Sequence, residues 1–352
     1  MDAAQRKRQL RAVVLGAGLM GSFHADAIAR AGGTLVAIVD PDLERARRLA
    51  GRAEAFASLD ELGDRRDRVD VVHVCAPLTE HTSLVERALA LGANLVVEKP
   101  FAPDAATTAA LLATAEERRL FVVPVHQFLF QRGVQRLLAS RHHFDPLVRC
   151  VFEATTAGAE RTSLDPDDLV ADILPHPLAL FSRFASGVLP ELEWQVVRPA
   201  PGELRALAIC AGTTFEIAIS TRARPTRATL DLLGSRASAH ADLFHGFAVV
   251  ERGGASRVRK LARPFTLAGA TLGRAGGNLA VRAIAREVAY PGLRELVLRT
   301  YEAIASGSPP PIDAQETLAV ARARDAILSV PIASSRWALT AAAAPAPGRT
   351  PP

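Results

Sequence analysis

Short apolar runs alternate with helix-like segments over the first third of the chain. Runs rich in Val, Leu and Ala occupy 11–15, 35–40, 69–75, 94–98 and 120–125. Between them, amphipathic spacing predicts helices near 20–31, 42–50, 81–91 and 104–118. Alternating strands and helices are typical of a parallel sheet with helices on both faces. The pattern therefore predicts a doubly wound Rossmann domain of class α/β over residues 1–125.

Beyond residue 126 the strand-like runs follow one another with few helices between them. They occupy 148–155, 192–198, 204–210, 213–221, 226–233 and 246–251. Helical patterns appear near 131–140, 291–306 and 313–329. This grouping predicts an α/β domain over 126–335 with a large, mainly antiparallel open sheet and helices to one side. The alanine- and proline-rich stretch 336–352 is expected to be disordered.

Composition and charge narrow the class of protein. The 352 residues are 49% hydrophobic and 22% charged, and no apolar run approaches the roughly 18 residues of a membrane span. The N-terminal stretch lacks the pattern of a secretory signal, and three widely separated cysteines match no disulfide or zinc spacing. The net charge is +5, but the arginines are spread among acidic residues. We therefore expect a cytoplasmic protein that binds neither nucleic acid nor membrane.

A glycine-rich turn joins the first strand to the first helix. Gly16, Gly18 and Gly21 have the GxGxxG spacing, which allows a tight turn, close approach of backbone to a pyrophosphate, and packing of helix on strand. Leu19 and Met20 lie within the same turn, at the helix N-terminus where free N–H groups favour an anion. These five residues are predicted to bind a dinucleotide.

The next strand ends at Asp40, where a carboxylate can accept hydrogen bonds from the adenosine ribose. A carboxylate also repels the 2′-phosphate of NADP. The predicted cofactor is therefore NAD, with NADP possible.

Lysine is rare in this sequence. Lys7, Lys99 and Lys260 are its only lysines, so arginine supplies the generic positive charge and Lys99 requires its own explanation. Lys99 lies at the carboxyl end of a predicted parallel strand, the edge at which doubly wound sheets bind ligands. An ammonium there can hold a substrate oxygen or take part in proton transfer.

The segment Glu98-Lys99-Pro100 resembles the EKP motif of the Gfo/Idh/MocA family, which includes glucose-fructose oxidoreductase and inositol dehydrogenase. The segments GAGLMGSFHADAI, CAPLTEHTSLVERALALG and SGSPPPIDAQETLAVARARDAIL are similar to the family in order and spacing. The resemblance implies that Lys99 contacts the reacting hydroxyl or carbonyl, with Glu98 an orienting carboxylate near the cofactor. It also implies a homodimer or homotetramer formed through the C-terminal sheet.

The segment LVADILPHPLALF resembles the Asp-x-x-x-His motif of the same family. The resemblance implies that His176 is a general acid or base and that Asp172 holds substrate hydroxyls, with Asp168 as the rival of Asp172. Histidine titrates near working pH, as proton transfer at a carbinol requires. Pro175 and Pro177 flank the histidine, so we expect no regular helix that runs from Asp172 through His176.

Three further positions complete the predicted site. Pro77 lies in the loop expected to border the nicotinamide, and His126 and Gln127 follow the last Rossmann strand, where the family lines its substrate cleft. No metal is predicted, because no histidine cluster has metal-ligand spacing.

The sequence thus predicts an NAD(P)-dependent enzyme with a small-molecule substrate. The expected reaction interconverts a secondary alcohol and a ketone on a sugar, cyclitol or related polar ring. Two alternatives are an enzyme acting on a non-sugar tailoring intermediate, such as an imine or a dihydrodiol, and a non-catalytic regulatory protein that binds NAD(P).

Overall fold

A computed structural model of the protein describes residues 9–156, 165–185, 189, 192–253 and 256–331, without the side chains of 64–68 and 259. The tail predicted at 336–352 lies outside these residues.

The N-terminal part contains a six-stranded parallel sheet with helices in the connections. Its strands are β1 (Arg11–Leu15), β2 (Thr34–Val39), β3 (Glu54–Phe56), β4 (Val71–Val74), β5 (Asn94–Val97) and β6 (Val122–Pro124). Its helices are α1 (Leu19–Arg30), α2 (Leu43–Ala50), α3 (Leu78–Ala90) and α4 (Ala105–Glu117). The strand order is β3-β2-β1-β4-β5-β6. Strand order reverses between β1 and β4, and a doubly wound sheet binds its ligand at this point.

The C-terminal part contains a seven-stranded sheet. Its strands are β7 (Leu147–Thr155), β8 (Gln195–Val197), β9 (Glu203–Cys210), β10 (Thr213–Ser220), β11 (Arg227–Gly234), β12 (Ala237–Asp242) and β13 (Phe247–Arg252). The order is β13-β12-β11-β7-β10-β9-β8. Strands β7 and β10 pair in parallel, and the other neighbouring pairs are antiparallel. The predicted mainly antiparallel sheet is confirmed.

Helices connect the two parts of the molecule. They are α5 (Arg132–Ala139), α6 (Pro166–Ile173), α7 (Pro175–Phe184), α8 (Arg257–Ile284), α9 (Leu293–Ser306) and α10 (Ala314–Leu328). Helix α9 contacts α1, while α10 contacts both α4 and α7. The last two helices therefore return to the Rossmann domain, and one buried apolar cluster extends across both sheets.

Every strand and helix predicted from the sequence is present, within three residues at each end. Strands β3 and β12 and helices α6, α7 and α8 were not predicted. Strand β12 consists mainly of alanine and polar residues, which have low β-propensity. Helix α8 contains Pro264 and four glycines, which disfavour a helix interior.

Candidate active site

The glycine turn has the geometry of a dinucleotide-binding loop. Gly16 has a φ of +101°, and a Cβ there would lie 2.6 Å from the carbonyl oxygen of Cys75. A Cβ on Gly21 would lie 2.0 Å from the Gly16 carbonyl oxygen. Gly18 differs because a Cβ there would meet no atom within 4 Å. Side chains are thus excluded by the protein at Gly16 and Gly21, whereas Gly18 faces open space.

The N-terminus of α1 adjoins this open space. Gly18 is the N-cap residue, and no side chain caps the helix. Leu19 begins the helix and is 65% exposed, while Met20 packs against the core. An uncapped helix N-terminus beside a glycine backbone fits the pyrophosphate of a dinucleotide.

Asp40 has a role in the glycine loop that the sequence did not predict. Its Oδ2 accepts a hydrogen bond from the Ala17 N–H at 2.7 Å, and its Oδ1 accepts one from the Asp42 N–H at 2.9 Å. Asp40 is buried, with 8% of the residue exposed. Each carboxylate oxygen keeps a second lone pair, so Asp40 can fix the loop and still accept a ribose hydroxyl.

Pro77 is the N-cap residue of α3, next to the carboxyl edge of the sheet. One turn into α3, His81 is buried, and its ring nitrogens lie 2.9 Å from the carbonyl oxygens of Pro100 and Ala76. His81 therefore ties the start of α3 to the segment that follows Lys99. This contact fixes two edges of the candidate site against each other.

Lys99 and Asp172 form an ion pair between the two domains. The Lys99 Nζ lies 2.5 Å from the Asp172 Oδ2 and donates to the Asp172 carbonyl at 3.2 Å. The Lys99 side chain is 16% exposed and that of Asp172 45%. Asp168, the rival candidate, is exposed one turn earlier. The geometry thus brings Asp172, and not Asp168, to Lys99.

His176 follows in the first turn of α7. Helices α6 and α7 meet at Leu174, whose φ and ψ of −51° and −38° are helical, so the prolines interrupt the helical hydrogen bonds without reversing the chain. The imidazole stacks on Phe128 with ring centroids 4.3 Å apart. Its Nδ1 is buried, with no partner in the described part of the chain.

Burial lowers the pKa of His176 well below its ordinary value, and the positive charge of Lys99 lowers it further. The imidazole is therefore neutral near pH 7 and can accept a proton. A neutral base beside a lysine ammonium is a suitable arrangement for proton transfer at a substrate oxygen.

His126 and Gln127 are adjacent in sequence but face different spaces. Gln127 lines the main cleft, while His126 lines a cavity of about 20 Å³ behind Pro100. Burial, followed by the charges of Lys99 and Arg183, lowers the pKa of His126 to about 3. His126 thus lies behind the wall of the cleft, not on its surface.

The main cleft has a volume of about 1030 Å³ and opens between the domains. Lys99, Gln127, Phe128 and His176 line one side, and Phe244, Tyr290 and the C-terminal end of α8 line the other. Tyr290 was missed in the sequence, although the chain has only two tyrosines. Tyrosine is as rare in this sequence as lysine, so Tyr290 could have been singled out for the same reason as Lys99. Burial and the nearby Glu98 raise the pKa of Tyr290, so it can donate a hydrogen bond.

A buried series of hydrogen bonds extends from Glu98 away from the cleft. The Glu98 Oε1 lies 3.1 Å from His24 Nε2, and His24 Nδ1 lies 2.8 Å from His73 Nδ1. His73 Nε2 lies 2.9 Å from the Tyr301 hydroxyl. His24 and His73 are fully buried. His24 thus belongs to a polar network.

One set of protonation states satisfies every member of this network. Burial raises the pKa of Tyr301 and lowers that of His73, so the phenol donates to a neutral His73. His73 then donates from Nδ1 to His24, and His24 donates from Nε2 to the Glu98 carboxylate. The other Glu98 oxygen accepts the Lys99 N–H at 3.2 Å. The network therefore fixes the backbone from which Lys99 projects.

Comparison with known proteins identifies the N-terminal domain. A family profile described as an oxidoreductase family with an NAD-binding Rossmann fold, GFO_IDH_MocA, matches residues 10–126. Residues 10–126 therefore match the Rossmann domain of the Gfo/Idh/MocA family. The resemblance drawn from the EKP motif is thereby confirmed.

The curated relatives of this protein match it over part of their length. UDP-N-acetylglucosamine 3-dehydrogenase of Acidithiobacillus ferrooxidans is 34% identical over 134 residues, which are 35% of this chain and 42% of that protein. Inositol 2-dehydrogenase 4 of Saccharopolyspora erythraea is 43% identical over 101 residues, 28% of this chain and 30% of that protein. The matched segments thus span less than half the length of these relatives.

Solved structures of the same fold match almost the whole chain. UDP-N-acetylglucosamine 3-dehydrogenase GnnA of Acidithiobacillus ferrooxidans superposes with a TM-score of 0.69 at 23% identity, covering 92% of this chain and 96% of its own. KijD10, a 3-ketoreductase of Actinomadura kijaniata in complex with NADP, gives 0.69 at 18% identity, with coverage of 92% and 97%. At these identities the likeness concerns the fold alone.

Among the described residues, no group of three His, Cys, Asp or Glu side chains could hold a metal ion. No helix in that part of the chain is long and apolar enough to cross a membrane.

Proposed function

We propose that this protein is an NAD(P)-dependent dehydrogenase or reductase that interconverts a secondary alcohol and a ketone on a sugar, cyclitol or related polar ring. The observation that carries the proposal is the cleft lined by Lys99 and His176, in which Lys99 pairs with Asp172 and His176 is neutral. The relatives named above as sugar and inositol dehydrogenases support this substrate class. NAD is the expected cofactor and the cytoplasm the expected compartment.

Each residue has a distinct proposed task. The glycine turn and Asp40 bind the dinucleotide, with Leu19, Met20, Pro77 and Glu98 around it. A bound nicotinamide supplies the acceptor or donor of hydride. Lys99 donates a hydrogen bond to the reacting oxygen, and Asp172 holds the ammonium and substrate hydroxyls.

His176 completes the proposed reaction. In oxidation, the hydroxyl proton passes to the neutral imidazole as hydride leaves the carbon, and in reduction both steps run backwards. Gln127 would contact the substrate ring at the wall of the cleft, whereas His126 would act from behind that wall. With the domain boundary placed between residues 125 and 126, the dinucleotide-binding residues and Lys99 lie before it, and Gln127, Asp172 and His176 lie after it.

Apolar residues at the cleft favour a second candidate substrate class. Phe244 is 58% exposed and Val288 85%, and both line the cleft. Such surface suits an apolar part of a tailoring intermediate, such as an imine or a dihydrodiol, better than it suits a free sugar.

A substrate panel tests the proposal. The full chain with NAD or NADP, in oxidised and reduced form, is mixed with nucleotide-linked sugars, free sugars, cyclitols, dihydrodiols and imines, and nicotinamide absorbance is followed. Turnover of a ring alcohol or its ketone supports the proposal, and turnover of dihydrodiols or imines alone supports the second candidate. Dinucleotide binding by calorimetry without any turnover would contradict both and favour a regulatory protein.

A further inference from the structure

Pro175 removes one helical hydrogen bond from the end of α6. In an α-helix the N–H of each residue donates to the carbonyl four residues earlier, so an N–H at position 175 would serve Ala171. Proline has no N–H, and the Ala171 carbonyl therefore lacks its helical donor. The backbone is still helical just before this point, since the Leu174 N–H donates to the Val170 carbonyl at 3.1 Å. The sequence thus leaves one carbonyl in the last turn of α6 open to a donor from elsewhere.

Arg324 of α10 supplies that donor. Its Nε donates to the Ala171 carbonyl oxygen at 3.3 Å, and its Nη1 donates to the Pro103 carbonyl oxygen at 2.8 Å. Ala171 directly precedes Asp172, and Pro103 follows Lys99 by four residues. One guanidinium therefore joins the two segments that carry the Lys99–Asp172 ion pair.

Two cations thus bind consecutive carbonyls at the end of α6. Lys99 Nζ donates to the Asp172 carbonyl at 3.2 Å, and Arg324 Nε donates to the carbonyl before it. A helix C-terminus carries partial negative charge, which favours cations at its last carbonyls. Lys99 lines the cleft, whereas Arg324 lines, with Pro100 and Pro175, the cavity of about 20 Å³ behind it. The last turn of α6 is therefore held from the side of the cleft and from the side of the cavity.

The guanidinium is a buried charge with its own carboxylate neighbour. Arg324 is 7% exposed, and its Nη1 lies 3.7 Å from the Asp325 Oδ1. The Asp325 Oδ2 accepts the Ala105 N–H at 2.7 Å, at the start of α4. Burial lowers the pKa of Arg324, and the charges of Asp325 and Asp172 oppose that shift. A guanidinium keeps its proton in proteins, so both carbonyls retain a charged donor.

We propose that Arg324 is a positioning residue that sets the geometry of the Lys99–Asp172 pair. The inference rests on the proposed function, in which Lys99 contacts the reacting oxygen. Arg324 is not among the described residues that line the cleft, so it acts through the backbone next to Asp172 and not on a substrate. Without the guanidinium, the end of α6 loses its anchor to the segment after Lys99. Asp172 then loses the support that directs its carboxylate and carbonyl to the ammonium.

Turnover of Arg324→Met tests this positioning. Methionine keeps an unbranched apolar stem and removes both hydrogen bonds. With a substrate that the wild-type chain turns over, kcat should fall roughly tenfold or more, because small displacements of reacting groups are costly. NAD affinity in calorimetry should stay unchanged, since the contacts of Arg324 described above do not include the glycine turn.

Arg183→Met is the matched control for this variant. Arg183 also donates to a backbone carbonyl, that of Pro311 at 2.7 Å, and pairs with a carboxylate, that of Glu316 at 2.6 Å. It lies on α7 and likewise joins two segments of the chain. Its loss should lower the melting temperature and leave kcat unchanged, because its bonds do not reach the segments beside Lys99 and Asp172.

A second substitution tests the role of the Ala171 carbonyl. Pro175→Ala restores an N–H that can donate to Ala171 in the helical manner. Loss of Arg324 should therefore lower kcat less in the Pro175→Ala background than in the wild-type chain, as a double-mutant cycle measures. An equal loss in both backgrounds would overturn the role assigned to this carbonyl.

Lysine resonances test the ion pair without any substrate. The chain has three lysines, so reductive methylation with isotope-labelled formaldehyde gives few NMR signals, and Lys99→Arg identifies the signal of Lys99. Asp172→Asn gives the signal of the unpaired ammonium. Arg324→Met should shift the Lys99 signal toward that value. So should the milder Arg324→Lys, because a single ammonium lacks the fork that reaches both carbonyls. Arg183→Met should leave the signal in place.

Two results would overturn the proposal. One is an unmoved Lys99 signal in a folded Arg324→Met or Arg324→Lys protein. The other is a kcat of Arg324→Met no lower than that of Arg183→Met. A shifted Lys99 signal in a chain that turns over no compound of the substrate panel would support the positioning and contradict the proposed function, so the two failures are distinguishable.

Discussion

The buried network allows a sharp test in the substitution Tyr301→Phe. The variant removes one hydroxyl and keeps the ring that packs beside Gly33. The hydroxyl is 2.9 Å from His73 Nε2, and Tyr301 is 4% exposed. Without it, His73 keeps a buried acceptor with no donor from Tyr301.

The expected magnitude follows from this lost partner. An unsatisfied buried polar group costs about 1–3 kcal/mol, whereas an exposed hydrogen bond costs far less. The free energy of unfolding should fall by that amount, since water cannot reach the fully buried His73 in place of the hydroxyl. The tautomer of His73 with the proton on Nε2 does not restore the lost hydrogen bond without cost, because it would leave His24 Nδ1 without a donor.

Urea unfolding followed by circular dichroism measures this free energy. Tyr290→Phe is the matched control, because Tyr290 lies at the rim of the cleft and should change stability by less than about 0.5 kcal/mol. Equal stability of Tyr301→Phe and wild type would refute the network. So would an equal loss in both variants.

Three further predictions concern the cofactor and pH. Gly18→Val should abolish NAD binding in calorimetry and leave the melting temperature unchanged, because a Cβ at position 18 meets no protein atom but blocks the pyrophosphate. Unchanged NAD affinity would contradict the proposed pyrophosphate site. Asp40→Ser should raise NADP affinity relative to NAD, and an unmoved ratio would show that another group sets the preference. Because the folded-state pKa of His126 is about 3, the unfolded chain binds the proton first as pH falls below about 6.5. The contribution of the neutral His126 to the free energy of unfolding should therefore decline by about 2 kcal/mol from pH 7 to pH 5. His126→Gln should reduce the slope of the free energy of unfolding against pH in this range, and an unchanged slope would contradict the prediction.

Local signals in the sequence predicted much of the fold. The apolar runs predicted β1 and its parallel neighbours because buried parallel strands read as continuous hydrophobic segments. Helix α8 could not be predicted, because Pro264 and its glycines oppose helix formation and its apolar face lies outward. Only the folded protein shows which side of that helix meets the sheet.

The candidate site was likewise predicted only in part. Gly16, Gly21 and Lys99 follow from motif spacing and residue rarity. The contacts of His24 with Glu98 and His73 join positions 74 and 49 residues apart, and no local pattern reports them. The opposite directions of His126 and Gln127 also depend on the turn after β6, which a sequence pattern leaves open.

The most direct test of the proposed chemistry is the turnover of His176→Ala, measured beside Lys99→Ala with NAD affinity determined for each. The proposal predicts that each variant loses a factor on the order of 100 or more in turnover, the scale of general acid-base catalysis, with little change in NAD affinity. Near-normal turnover of His176→Ala, with Lys99→Ala inactive, would contradict it. Proton transfer would then have to run through Lys99 with Asp172, the carboxylate that pairs with it.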